Sequence, residues 1–194
     1  MSASLLYYGF LALLVGERMF ELRLSARHAR AAFARGGVEV GERHFAVMKA
    51  LHTAFFAGCV LEVWGLHRPF LPALAAPMLC LALAAQALRW WAVLSLGPAW
   101  NVRVIVVPGA PLVTRGPYRH LRHPNYVAVV LEGIAVPLIH TAWLTALLFS
   151  IANAALLAVR IRSEEQALAR LGDGAEQLAG RPRFWPTLGE TQPR

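Results

Sequence analysis

Twelve consecutive residues, 115–126, carry an unusual density of side chains that can bind or orient a small polar ligand. The run reads Arg-Gly-Pro-Tyr-Arg-His-Leu-Arg-His-Pro-Asn-Tyr, with three arginines, two histidines and two tyrosines. Guanidinium groups bind carboxylates and phosphates, and imidazole, amide and phenol groups add hydrogen bonds. The segment therefore predicts a site for a small anionic or zwitterionic ligand. The alternative is a basic loop that only fixes the orientation of a membrane protein.

Three polar residues further along the chain fall on one face of a predicted helix. Arg160 and Glu164 are four residues apart, and Asn153 lies seven residues before Arg160, so all three share a face. Polar side chains on an otherwise apolar helix usually face a cavity. We therefore predict that this stripe lines a polar site. The alternative is a solvent-exposed ion pair that contributes about a few tenths of a kcal/mol.

The composition places both groups of residues in a membrane protein. The 194-residue chain is 57% hydrophobic and only 15% charged, against about 25% charged in soluble domains. Of its 19 basic residues, 18 are arginines, and they cluster between apolar blocks, which indicates membrane topology rather than nucleic-acid binding. The two cysteines, Cys59 and Cys80, have no spacing typical of a disulfide framework or a metal site.

The apolar blocks predict an all-α, polytopic membrane protein that forms a single domain. Five transmembrane spans are expected, at residues 5–20, 45–66, 71–96, 124–138 and 143–161. Three spans fall within residues 1–97, and residues 98–194 hold the basic loop, a helical hairpin and a tail. Residues 23–43 are predicted as a polar loop, and residues 102–107 as extended chain rather than sheet.

Several polar residues lie inside these spans or at their ends. Glu17, Arg18 and Glu21 could lie at the membrane interface or face a protein-lined cavity. Arg89 could line a cavity or extend its guanidinium to the lipid headgroups. The candidate substrate-binding residues are His52, Arg89, Asn153 and Arg160.

The distribution of basic residues predicts the topology. Arginines are dense after the first, third and fifth spans and sparse elsewhere, so we expect the N-terminus outside the cytoplasm and residues 115–126 on the cytoplasmic side with the C-terminus. Spans four and five are separated by a tight link and should form an antiparallel hairpin. That hairpin would bring residues 123–126 next to residues 160–165, and would build a cytosolic pocket with an apolar opening for a lipid-like substrate.

Three motifs in the C-terminal half resemble one known family. They are Gly116-Pro117-Tyr118-Arg119, Arg122-His123-Pro124-Asn125-Tyr126, and Arg160 with Glu164-Glu165. This pattern, over roughly residues 94–186, is similar to the signature of the isoprenylcysteine carboxyl methyltransferase superfamily of membrane enzymes. The resemblance implies S-adenosylmethionine as cofactor and catalytic roles for Arg160 and Glu164. The cofactor contacts it implies are Tyr118, His120, Leu121, His123, Pro124, Asn125, Tyr126 and Glu164.

The N-terminal half resembles a bacterial branch of that superfamily through residues 17–22, 37–41 and 44–52. Members of this branch O-methylate lipid-tailed polyketides such as alkylpyrones and alkylresorcinols. The expected reaction is methyl transfer from a sulfonium to an oxygen. A carboxylate acceptor would be oriented by Arg160, whereas a phenol or enol could use His123, His52 or Glu164 as a base.

Two features leave other interpretations open. The family often carries tyrosines after the Glu-Glu helix, and residues 172–180 have none, although Arg183-Phe184-Trp185-Pro186 resembles the family ending. The arginine cluster could also serve the extra phosphate of NADPH in a sterol-type membrane reductase. A third possibility is a non-enzymatic scaffold or small transporter in which the arginines only set topology.

Overall fold

The computed structural model describes residues 2–171, and it is built almost entirely from helices. The helices are α1 (Ala3–Phe33), α2 (Glu42–Gly65), α3 (Pro72–Leu96), α4 (Pro124–Leu138) and α5 (Trp143–Leu171). Two short strands, β1 (Val38–Val40) and β2 (Val104–Val106), form an antiparallel ribbon. The predicted all-α membrane fold is confirmed. The tail motif at residues 183–186 lies outside the described residues.

Four of the described helices are long and apolar enough to cross a membrane, and α4 is a shorter apolar helix of 15 residues. At 1.5 Å per residue, α4 is about 22 Å long, less than the hydrocarbon thickness of about 30 Å. It begins at Pro124, as predicted, because proline suits the first turn of a helix. The fourth predicted span is therefore a helix that is short for a bilayer.

The predicted polar loop at residues 23–43 is wrong over its first half, because α1 continues to Phe33. Ser25, Ala29 and Ala32 are buried along one face of that extension. The hydroxyl of Ser25 donates to Asn101 Oδ1 at 2.7 Å and accepts from the backbone N–H of Val102 at 3.1 Å. These contacts attach the segment that follows α3 to α1.

The prediction of unpaired extended chain at residues 102–107 is also wrong. Val104–Val106 pairs with Val38–Val40, with Val38 opposite Val106 and Val40 opposite Val104. An ion pair of 3.1 Å between Arg103 and Glu39 lies beside the ribbon. The ribbon holds the segment between α3 and α4 against the end of α1.

Helices α4 and α5 form the predicted hairpin. The carboxylate of Glu62 in α2 accepts hydrogen bonds from the backbone N–H groups of Leu144 and Thr145, at 3.1 and 2.7 Å, and from the Thr145 hydroxyl at 2.8 Å. A negative charge at a helix N-terminus is favourable. Within the hairpin, Gly133 lies so close to Phe149 that a Cβ there would be 2.5 Å from the ring. This close approach fixes how the two ends of the hairpin meet.

Candidate active site

One cavity, of about 740 Å³, lies between the helices and the segment that connects α3 to α4. Its volume falls in the range of roughly 300–1,000 Å³ that is usual for small-molecule sites. Nine of the predicted site residues line it, and they come from α2, α3, α4, α5 and the segment that connects α3 to α4. They are His52, Arg89, Tyr118, His123, Asn125, Tyr126, Asn153, Arg160 and Glu164.

The two ends of the α4–α5 hairpin meet in one wall of this cavity. The Tyr126 hydroxyl donates to Glu164 Oε2 at 2.6 Å, and the His123 ring stacks on that of Tyr126 with centroids 5.3 Å apart. His123 also lies 3.4 Å from Glu165 and 3.9 Å from Glu164. The structure thus brings residues 123–126 and 160–165 together as the hairpin argument predicts.

Four buried polar atoms of residues that line this cavity have no hydrogen-bond partner within residues 2–171. They are Glu21 Oε1, Asn125 Oδ1, Asn153 Oδ1 and Arg160 Nε. A buried polar atom without a partner costs free energy, so such atoms in a native structure need an explanation. A polar ligand that carries both donors and acceptors can provide hydrogen-bond partners for such atoms.

Arg160 connects α5 to the segment between α3 and α4 through a hydrogen bond. Its Nη2 donates to the backbone carbonyl of Val102 at 2.7 Å, and the residue is 4% exposed. The guanidinium is therefore held in a fixed orientation inside the cavity. An arginine in such a position can orient an acceptor oxygen or a carboxylate.

Tyr118 contributes a neutral phenol to the site. Burial raises the pKa of its hydroxyl, and the negative charge of Glu164 raises it further. The hydroxyl therefore stays protonated at physiological pH and can donate a hydrogen bond.

Three of the predicted cofactor contacts have side chains outside the cavity lining. His120 is exposed, Leu121 is half-buried, and both backbone N–H groups donate to the carbonyl of Pro117. Pro124 is buried and begins α4. Contacts of these three residues with a cofactor stay predictions.

Next to the cavity, five charged side chains from α1, α3 and α4 form what we call the charged cluster. Its members are Glu17, Arg18, Glu21, Arg89 and Glu132. Arg89 donates to both oxygens of Glu132, at 3.0 and 2.6 Å, and is 5% exposed. Its guanidinium therefore lies inside the protein and does not extend to the headgroups.

The sequence shows the charged residues of α1 and α3 in this cluster, but it does not show that they contact one another. Glu17, Arg18 and Glu21 lie in one apolar helix and Arg89 in another, and opposite charges in two apolar helices are a reason to expect contact. Glu132, in a third helix, is the partner that the sequence analysis missed. Glu21 is 3% exposed, which favours the alternative that the side chains of Glu17, Arg18 and Glu21 face a protein-lined environment.

Several apolar helices that are long enough to cross a membrane indicate an integral membrane protein. The family is identified by comparison with known proteins: the chain belongs to the isoprenylcysteine carboxyl methyltransferase family, whose model matches residues 78–170. Membership indicates a membrane methyltransferase.

Two bacterial relatives match most of the chain. An uncharacterized protein YpbQ of Bacillus subtilis (strain 168) is 37% identical over 166 residues, which cover 84% of this chain and 96% of the relative. An uncharacterized protein of Haemophilus influenzae (Rd) is 27% identical over 161 residues, covering 82% and 93% respectively.

The structure is also similar to that of the eukaryotic intramembrane Ras methyltransferase ICMT, with a TM-score of 0.57. The two chains are 22% identical, and the match covers 74% of this chain and 53% of that one. The chain therefore spans about half the length of that structure, and the likeness supports the fold.

Proposed function

We propose that this protein is an S-adenosylmethionine-dependent O-methyltransferase that methylates a carboxylate, phenol or enol oxygen of a lipophilic substrate. The observation that carries the proposal is the cavity in which the 123–126 motif meets Asn153, Arg160 and Glu164. The family supplies the reaction class, and this cavity supplies side chains suited to the donor.

The residues of the polar wall fit a zwitterionic nucleoside. The Glu164 carboxylate can accept hydrogen bonds from an ammonium group or from ribose hydroxyls. The orphaned Asn125 Oδ1 can accept from a further donor on the ligand. S-adenosylmethionine carries all of these groups, and it supplies a methyl group on a cationic sulfur.

The apolar part of the cavity suits a lipid-like acceptor. Val15 and Met19 of α1 and Met48 and Phe56 of α2 line it. Because methyl transfer is an in-line displacement, the chain's task is to position the acceptor oxygen and to exclude water. We assign the positioning of that oxygen to Arg160, which is buried and already held by Val102.

The site is proposed to face the cytoplasm, where S-adenosylmethionine is found. The arginines of the 115–126 segment support this orientation, because basic residues favour the cytoplasmic side of a membrane.

Titration of the detergent-solubilised protein with S-adenosylmethionine and, separately, with NADPH tests the proposal. We expect micromolar binding of S-adenosylmethionine alone. Replacing His123 with Ala should weaken that binding at least about tenfold, which is about 1.4 kcal/mol, because His123 is buried in the cavity wall. His67→Ala is the matched control, since His67 is exposed between α2 and α3 and lies outside the cavity lining. Binding of NADPH alone, or of neither ligand, would refute the proposal.

A further inference from the structure

The charged cluster contains one more carboxylate than guanidinium groups, so its net charge is negative when all five side chains are ionised. Its carboxylates are Glu17, Glu21 and Glu132, and its guanidiniums are Arg18 and Arg89, so three negative charges face two positive ones. All five lie in helices among apolar residues. A surplus charge in such surroundings is unfavourable unless a proton or a cationic group neutralises it.

The hydrogen bonds show which carboxylate of the cluster is least well satisfied. Glu17 accepts from Trp90, Gln86 and Arg18, and both oxygens of Glu132 accept from Arg89. Glu21 Oε2 accepts from Arg18 at 2.6 Å.

The other oxygen of Glu21, Oε1, is buried and has no hydrogen bond among the described residues. Arg89 Nη1, at 3.7 Å, is too distant to donate to it. Of the three carboxylates in the cluster, Glu21 alone lines the cavity. Glu21 is therefore the carboxylate of the cluster that borders the space in which a ligand would bind.

A second buried acceptor lines the same cavity from another helix. Asn153 of α5 is 2% exposed, and its Oδ1 likewise has no hydrogen-bond partner within residues 2–171. Two buried acceptors from α1 and α5 call for a ligand group that brings a hydrogen-bond donor. A hydroxyl brings one, whereas an ionised carboxylate brings only acceptors.

From this geometry, and resting on the proposed function, we propose that Glu21 is the general base that accepts the proton of a hydroxyl acceptor during methyl transfer. The O–H bond breaks and its proton goes to Glu21 Oε1, while the acceptor oxygen forms a bond to the methyl carbon. The bond between that carbon and the sulfonium breaks, and its electron pair stays on sulfur. The sulfonium thus loses its positive charge, and the proton on Glu21 neutralises the surplus negative charge of the cluster.

The groups around Glu21 are suited to this role. Arg18 and Glu17 of α1, Arg89 of α3 and Glu132 of α4 surround its carboxylate, and their four charges cancel. From α2, His52 lines the same cavity and donates from Nδ1 to the Met48 carbonyl at 2.9 Å, and α5 contributes the neutral Asn153. At the other wall, Glu164 Oε2 already accepts from Tyr126.

A nitrophenol with a long alkyl chain tests the contact without any methyl donor, because its absorbance reports whether the bound phenol is ionised. In the wild type we expect the pH of half-ionisation to rise above its value in detergent alone, since the phenol donates to Glu21 beside a negative cluster. Glu21→Gln should lower that pH by at least about one unit, a tenfold change.

Glu17→Gln is the matched control. It removes the same charge from the same cluster, but Glu17 does not line the cavity, so the shift should be less than about a third of that for Glu21→Gln. Equal shifts in both variants, or no shift in Glu21→Gln, would overturn the assignment.

Turnover of the corresponding alkylphenol without the nitro group, whose hydroxyl stays protonated at neutral pH, gives the second readout with S-adenosylmethionine as methyl donor. Glu21→Gln should lower kcat about 10²–10⁴-fold at neutral pH, with part of the rate regained at alkaline pH and in Glu21→Asp. The Kd for S-adenosylmethionine should change less than about threefold. Normal donor binding with wild-type turnover in Glu21→Gln would refute the role of Glu21 and leave the proposed function standing. If the wild type binds no S-adenosylmethionine, the proposed function fails, while the probe titration still decides whether Glu21 meets a hydroxyl.

Discussion

The close approach of α4 and α5 at Gly133 predicts both the sign and the size of the stability change caused by Gly133→Ala. A Cβ at Gly133 would lie 2.5 and 2.6 Å from two ring carbons of Phe149. That ring is buried, and it packs against Phe55 at 4.4 Å and His52 at 5.4 Å between centroids. The ring has little room to move, so Gly133→Ala should overpack the hairpin.

The magnitude comes from comparing Gly133→Ala with the same substitution at an open site. Gly9, in α1, has no atom within 4 Å of its Cβ position, so Gly9→Ala should add only the helix preference of alanine, about 1 kcal/mol. That gain is common to both sites and cancels in the difference. The difference should therefore equal the overpacking cost, about 1–3 kcal/mol.

Thermal unfolding of the two variants in detergent measures this difference. We expect Gly9→Ala to unfold at or above the wild-type temperature and Gly133→Ala below it. Because Phe149 and Asn153 lie one turn apart on α5, Gly133→Ala should also weaken S-adenosylmethionine binding. Equal unfolding temperatures for the two variants would refute the argument that α4 and α5 are in hard contact at this position.

Three further predictions concern single side chains. Arg160→Ala should lower turnover about 100-fold and change the Kd for S-adenosylmethionine less than about fivefold; an equal loss of both would remove its orienting role. Glu62→Gln should cost about 1–3 kcal/mol of unfolding free energy through the weakened α5 cap, with donor binding intact, and unchanged stability would contradict the cap. The pKa of the Tyr118 hydroxyl is raised in the folded state above its usual value of 10. The stabilisation that results is complete below pH 10 and is lost as the pH rises above that value. Tyr118→Phe should therefore lose less stability than the wild type between about pH 10 and 11, measured by unfolding at each pH, and identical pH profiles would contradict it.

The sequence predicts those parts of the structure that depend on local signals. Pro124 and the end at Leu138 mark α4, because proline favours a first turn and the apolar run ends there. The meeting of residues 123–126 with residues 160–165 follows from the short α4–α5 link, which leaves the two helices only one antiparallel arrangement. The candidate site could be predicted from these two facts and the motif spacing.

The parts that the sequence could not supply depend on distant partners. Strand β2 is three residues long, and its partner β1 precedes it by 64 residues or more, so no local pattern distinguishes it from a loop. The extension of α1 through Ser25 is stabilised by Asn101, which no helix signal reveals. Likewise, Glu132 completes the charged cluster through a contact with Arg89 across 43 residues.

The short length of α4 has a consequence for where the chemistry takes place. The α4–α5 turn lies level with the α2–α3 turn, since the Thr141 hydroxyl donates to the Pro69 carbonyl at 2.6 Å. From that turn α4 extends only about 22 Å, which is about 8 Å less than a hydrocarbon layer about 30 Å thick. In the proposed reaction, the methyl donor would descend to the lipid-borne oxygen, and the acceptor would never have to leave the bilayer.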